Sequence, residues 1–160
     1  MLAAQLGEHY QALVVPEFVR EYAAKKGAPL DFYDHGPIAK GQIEVEDRIA
    51  ARALKRGDTL LIHDTDLVST VVYCNHYFGR CPAFIEEAAI ERRALHYLLP
   101  NIDVPWIPDG IRDRGHRRPE LHALFEETLS RLGASFTTIS GDWTTRFDRA
   151  VAVIAGLDGV

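Results

Sequence analysis

Three carboxylates stand where an apolar run gives way to polar chain: Glu17 after "ALVVP", and Asp64 and Asp66 in "LLIHDTD". A carboxylate at the end of a buried strand can hold Mg²⁺ beside a nucleotide, directly or through water, and Asp64 is the candidate for that role. Asp66, two residues on, can serve a ligand or simply cap the helix that follows, since Asp is a favoured N-cap. Glu17 begins a helix. It can take the proton of an attacking hydroxyl or act only as a favourable charge at a helix N-terminus.

The stretch "DGIRDRGHRRPE" holds Arg112, Arg114, Arg117 and Arg118 around Gly110 and Gly115. Guanidinium groups on a Gly-flanked loop suit closure over phosphates and neutralisation of transition-state charge; the alternative is a solvated run of charge. Trp106 and Asp109 sit in "VPWIPDG". An indole can stack on a flat ring and a carboxylate can accept from ribose hydroxyls, while a Trp between prolines can also be plain loop packing. His63, Cys74, His76 and Cys81 do not have the spacing of a zinc site. "DTDLV" after an apolar strand also resembles motif I of the haloacid-dehalogenase-like phosphatases, whose first Asp is the nucleophile. Those enzymes need a downstream Lys, and here Lys25, Lys26, Lys40 and Lys55 all come earlier.

The elements that must position these groups follow from periodicity. Leu2–Tyr10 reads as a short amphipathic helix with no N-cap before it. Residues 12–17 read as a buried strand, 17–27 as a helix stopped by Gly27, and 28–37 as a loop. Residues 41–57 form a charged amphipathic helix ending in Lys55, Arg56 and Gly57. Residues 58–64 are a continuous apolar strand. Residues 67–79 fit helix or strand, with length and Gly79 favouring helix. A helix at 83–94, a strand at 95–100, a loop at 101–119, a helix at 120–133, a strand at 135–140 and a helix at 142–156 complete the chain. In the last helix Trp143, Phe147, Ala150, Val151 and Ile154 are expected to face inward. Alternating strands and helices imply a parallel α/β sheet covered on both faces, with ligands at the carboxyl ends of the strands.

The 160 residues fit one domain, with 47% hydrophobic and 26% charged residues and a formal charge of -5. A nonspecific nucleic-acid binder is expected to be basic, so that partner is disfavoured. No apolar run approaches the ~18 residues of a membrane span. The N-terminus lacks the basic n-region and cleavage site of an export signal. The two cysteines, Cys74 and Cys81, read as reduced thiols, and the expected compartment is the cytoplasm.

Taken together, "VVPEFVREYA", "IAKGQIEVED", "IHDTDLVSTVVYCNHYFG", "LLPNIDVPWIPDGIRDRG", "RRPELHALFEETL" and "ISGDWTTRFDRAV" resemble, in order, the ribosylnicotinamide kinase domain of the bacterial NAD-biosynthesis regulator family. Pro100 and Asn101 stand where that family often has polar turn residues. The resemblance implies a three-layer α/β/α P-loop nucleoside-kinase fold. It also implies use of ATP and Mg²⁺ to phosphorylate the 5′-hydroxyl of nicotinamide riboside. On that footing Asp64 organises Mg²⁺, Glu17 orients or deprotonates the hydroxyl, and Arg112, Arg117 and Arg118 close over the phosphates. Arg20, Gln42, Asp66, Trp106 and Asp109 become candidates for riboside contacts, and Gly141, Asp142 and Trp143 for the adenine side. Family members open with a strand and a G-x-x-x-x-G-K-[ST] loop, which these residues do not contain. The expectation is therefore an N-terminally truncated domain whose missing strand belongs between the "LLIHD" and "LHYLLP" strands. A non-catalytic remnant that binds or regulates is the alternative. Regulators of this family also carry DNA-binding and adenylyltransferase portions, on which these residues are silent.

Overall fold

The computed structural model describes residues 2–105 and 117–157. Its elements are α1 (Leu2–Tyr10), β1 (Leu13–Val15), α2 (Phe18–Lys26), a 3-10 turn (Phe32–Asp34), α3 (His35–Arg56), β2 (Leu61–His63), α4 (Leu67–Phe78), α5 (Ala83–Glu91), β3 (Tyr97–Pro100), α6 (Arg118–Arg131), β4 (Phe136–Ile139) and α7 (Trp143–Ala155). No helix of the described residues is long and apolar enough to cross a membrane.

The helix expected to begin at residue 41 starts at His35 instead. Asp31 and Asp34 form a reciprocal capping box. The Asp31 carboxylate accepts from Tyr33 N at 2.8 Å and Asp34 Oδ2 accepts from Asp31 N at 2.7 Å. Pro37 falls in the first turn of α3, where its missing N–H costs no intrahelical bond. Pro119, near the start of α6, is tolerated for the same reason. The 67–79 stretch is helix: Asp66 caps it through Val68 N at 2.9 Å, and Gly79 ends it with φ +68°.

Among the described residues, four short strands form two parallel pairs rather than one continuous sheet. In one pair Leu13 lies opposite Leu61 and Val15 opposite His63; in the other Tyr97 lies opposite Phe136 and Pro100 opposite Ile139. The free edges of β2 and β3 line an apolar slot of about 660 Å³ between the pairs. Exposed strand edges leave N–H and C=O groups without ladder partners, so the division of the sheet coincides with this hollow.

Alternate strand residues serve two helical layers, as the period of two requires. Leu99 joins a core built with Leu67, Val71, Val72, Ile85 and Leu129 of α4, α5 and α6. Ile62, Leu98 and Ile139 pack with Leu6 of α1 and Ala150 and Ile154 of α7 on the other side. The architecture is α/β with three layers. One close approach has a sequence cause: Gly41 lets the Phe18 ring lie against α3, where a Cβ would fall 2.0 Å from its Cε1. Trp143 departs from the expected inward stripe and is 52% exposed. It is the first residue of α7 after the Asp142 cap, one turn before the stripe reaches the sheet.

Candidate functional site

β1 and β2 end side by side. The Asp64 N–H donates to Val15 O at 2.8 Å, extending the ladder past His63. The chain then leaves β1 through Pro16 and Glu17 into α2, and leaves β2 through Asp64, Thr65 and Asp66 into α4. Thr65 takes φ +73°, a left-handed conformation uncommon for a β-branched residue.

A cavity of about 790 Å³ opens at these ends, and Glu17, Arg20, Gln42 and Asp66 all line it. The Glu17 side chain is 8% exposed and its carboxylate pairs with Arg20 Nε at 2.7 Å. An aromatic wall adds Tyr73, Tyr77 and Phe78 to the lining; the Tyr73 and Tyr77 rings are 26° from parallel. His35 closes the wall, its Nδ1 3.0 Å from Asp31 O, and burial pushes its imidazole below the usual range. Thr65, Asp66 and Ser69 line both this cavity and the slot, where Asp64 lies.

Gln42, expected to contact a ligand, has its amide occupied by the protein. Its Oε1 accepts from Phe18 N at 3.0 Å, and its Nε2 reaches Pro16 O at 3.5 Å and Glu46 Oε1 at 3.3 Å. It therefore holds the two residues that flank Glu17. Glu46 is itself buried and receives Arg92 Nε at 3.1 Å, which pairs the charge and satisfies the second oxygen.

Asp66 both caps α4 and takes part in a longer-range contact. Its Oδ2 accepts from the Tyr97 hydroxyl at 2.6 Å, tying the β2–α4 turn to β3. Burial raises the Asp66 carboxyl above the usual range, against the opposing effect of the Tyr97 bond. Burial and then the neighbouring Asp66 charge push the Tyr97 phenol up. Glu46 and Tyr97 carry no mark in the sequence. A charged α3 position and a strand tyrosine look ordinary until the fold brings their partners.

The arginines divide. Arg112, with Trp106 and Asp109, lies outside the described residues. Arg117 makes a two-pronged pair with Glu120, its Nε 2.7 Å from Oε2. Arg118 lines the slot with Asp64 and donates through Nη1 to Val104 O at 2.8 Å. No group of three or more His, Cys, Asp or Glu able to hold a metal occurs among the described residues. Cys74 and Cys81 are free thiols.

At the far end of the sheet, Gly141, Asp142 and Trp143 follow β4. Asp142 caps α7 through Thr145 N at 2.8 Å, and that bond holds its carboxyl below the usual range. Gly141 has φ +108°, open only to glycine without strain. Behind them Arg146, 2% exposed, lies with its guanidinium carbon 5.6 Å from the centre of the Trp143 ring.

The AAA domain family matches residues 1–146. The chain belongs to the AAA domain family. This AAA domain is 29% identical over 133 residues to the trifunctional NAD biosynthesis/regulator protein NadR of Escherichia coli (strain K12). That covers 81% of the chain and 32% of the relative. The same identity and coverage hold for the trifunctional NAD biosynthesis/regulator protein NadR of Salmonella typhimurium (strain LT2). The AAA domain thus spans about a third of the curated relatives it matches. Among solved structures it superposes on NadR protein in complex with NR, with a TM-score of 0.84 and 21% identity over 99% of this chain and 48% of that one. It also superposes on NadR protein in complex with NAD and AMP-PNP, with a TM-score of 0.80 and 20% identity over 99% of this chain and 46% of that one. These likenesses agree with the fold expected from the quoted segments. With the AAA domain fold in hand, Asp64 and Asp66 are not motif I of a haloacid-dehalogenase-like phosphatase.

Proposed function

We propose that the chain forms the nucleoside-binding and metal-organising part of an ATP-dependent kinase acting on the 5′-hydroxyl of nicotinamide riboside or a related nucleoside. The observation that carries this reading is the convergence of Glu17, Arg20 and Asp66 on one cavity, with Asp64 beside it. The likeness to NadR proteins solved with NR and with NAD and AMP-PNP supports nucleoside and nucleotide ligands.

In this reading Glu17 accepts the proton of the attacking hydroxyl, and Arg20, which pairs with that carboxylate and lines the cavity, contacts the riboside. Asp66, Trp106 and Asp109 contact the riboside. Gln42 acts one step back, fixing Pro16 and Phe18. Asp64 is exposed and belongs to no group of three or more metal-ligating side chains among the described residues. It fits Mg²⁺, which takes one or two carboxylates and fills its shell with water and phosphate oxygens. When bound, the ion supplies neutralisation of charge on the transferred phosphoryl group. Arg112, Arg117 and Arg118 are the candidate phosphate contacts; Arg117 is paired with Glu120, and Arg118 spends one N–H on Val104 O and keeps others to donate. Gly141, Asp142 and Trp143 serve the adenine side. Soluble metabolites as substrates accord with a cytoplasmic enzyme.

The slot between β2 and β3 is the proposed place for a further parallel strand and its phosphate-cradling G-x-x-x-x-G-K-[ST] loop, a motif absent from the 160 residues. The second reading is a domain that binds the nucleoside without turning it over. Calorimetric titration with nicotinamide riboside tests what the two share: binding that weakens by at least about tenfold in Arg20→Ala is expected. A wild-type chain that takes up no riboside would remove both.

A further inference from the structure

A fully buried arginine is costly to desolvate, so its acceptors reveal what it is held for. Arg146 lies on α7, yet among the described residues every acceptor of its guanidinium is on a loop at the sheet's carboxyl edge. Nε donates to Gly141 O at 2.8 Å, in the loop after β4. Nη2 donates to Asn101 O at 2.8 Å and to the Asp103 carboxylate, in the chain after β3. Asp103 in turn accepts from Gly141 N at 2.6 Å, and the Asn101 amide donates to Ser140 Oγ at 2.9 Å. The two loops are therefore bound to each other and to one guanidinium. That guanidinium also stands 5.6 Å from the ring of Trp143, an aromatic face left half-exposed.

We infer that Arg146 is a positioning residue for the purine base of the phosphoryl donor. It splints the loops after β3 and β4 into one rigid edge and sets Trp143 as the platform on which a flat base stacks. Base–aromatic stacking tolerates any base but needs a ring held at a fixed angle. A cation beside the ring fixes that angle. The splint also explains why Gly141 takes φ +108°: its N–H and C=O must point to Asp103 and Arg146 at once. The inference rests on the kinase reading only in assigning the base to ATP.

The test is calorimetric titration of the chain with ATP and, separately, with nicotinamide riboside, for wild type, Arg146→Lys, Arg146→Met and Asp103→Asn. Arg146→Met is expected to weaken ATP by at least about tenfold while riboside affinity moves by less than about twofold. Arg146→Lys, which keeps charge but not the fork, should lie between. Asp103→Asn keeps Arg146 buried and serves if the methionine variant fails to fold; it should weaken ATP alone, in the same direction. Equal loss for both ligands would make Arg146 a merely structural residue and overturn the inference, as would unchanged ATP affinity in Asp103→Asn and the lysine variant. A wild-type chain that binds riboside but no ATP would also overturn it, leaving the nucleoside pocket standing. Loss of riboside binding with ATP binding intact would instead strike the substrate reading.

Discussion

The Asp64 N–H donates to Val15 O across 2.8 Å, and Val15 lies two residues before Glu17. One ladder bond thus brings the proposed metal carboxylate to the strand end that delivers the proposed base. Asp64→Asn keeps this backbone bond and removes only the charge. Its kcat should fall by at least about a hundredfold in a chain supplied with the phosphate loop, with unchanged circular dichroism. Turnover within about threefold of wild type would show that Asp64 does not organise the metal.

Glu17→Gln keeps the shape of the elbow and loses the proton acceptor. A fall in kcat of about 10²-fold or more is expected, with riboside affinity close to wild type. Steady-state kinetics paired with riboside titration separate this from a binding defect, which would raise KM and leave kcat alone.

Gln42→Leu tests the support behind Glu17. It strands the Phe18 N–H and removes a partner from buried Glu46. A loss of about 1–3 kcal/mol in urea unfolding is expected, since a buried donor is left unmet. Riboside affinity should fall as well, because the chain on either side of Glu17 is freed. Unchanged stability would mean that water replaces the amide without cost.

Asp66 makes stability depend on pH in a direction that can be worked out. Its folded carboxyl lies above its unfolded value because of burial. Its contribution is therefore full below the unfolded value of about 3.9 and is lost as pH rises through the raised folded value. Asp66→Asn keeps an oxygen for Val68 N, turns an amide N–H donor toward the Tyr97 hydroxyl oxygen and removes the titration. The Tm difference between variant and wild type should shift in favour of the variant as pH goes from acid to neutral. A difference that is flat across that range would place the carboxyl at its ordinary value.

Gly41→Ala tests the packing that fixes α2 on α3. A Cβ 2.0 Å from the Phe18 ring cannot be housed without moving the ring. Overpacking of this kind costs about 1–3 kcal/mol, measurable by chemical denaturation, and Phe18→Leu should recover part of it. A stable single variant would show that the ring has room to turn.

Much of this arrangement is legible in the residues alone. Glu17, Asp64 and Asp66 are marked by their place at the ends of apolar runs, and the cap, one of the two readings of Asp66, is formed in the fold. Strand–helix alternation gives the layers. The start of α3 is hidden, because Asp31 and Asp34 look like loop acids until they cap each other. Gln42, Tyr97 and Arg146 are hidden for a different reason. Their partners lie 24, 31 and up to 45 residues away, and no local period reports such a pairing. Arg146 in particular reads as one more charge on a surface helix, yet it is among the most buried side chains described.

The account turns on whether the cavity at the ends of β1 and β2 presents a nucleoside hydroxyl for phosphoryl transfer. The direct measurement extends the chain at its N-terminus with an apolar strand and a G-x-x-x-x-G-K-[ST] loop, then follows nicotinamide mononucleotide formed from nicotinamide riboside, ATP and Mg²⁺. The account predicts ATP-dependent formation of the mononucleotide that Glu17→Gln and Asp64→Asn each reduce. An extended chain that binds ATP and riboside yet forms none would contradict it.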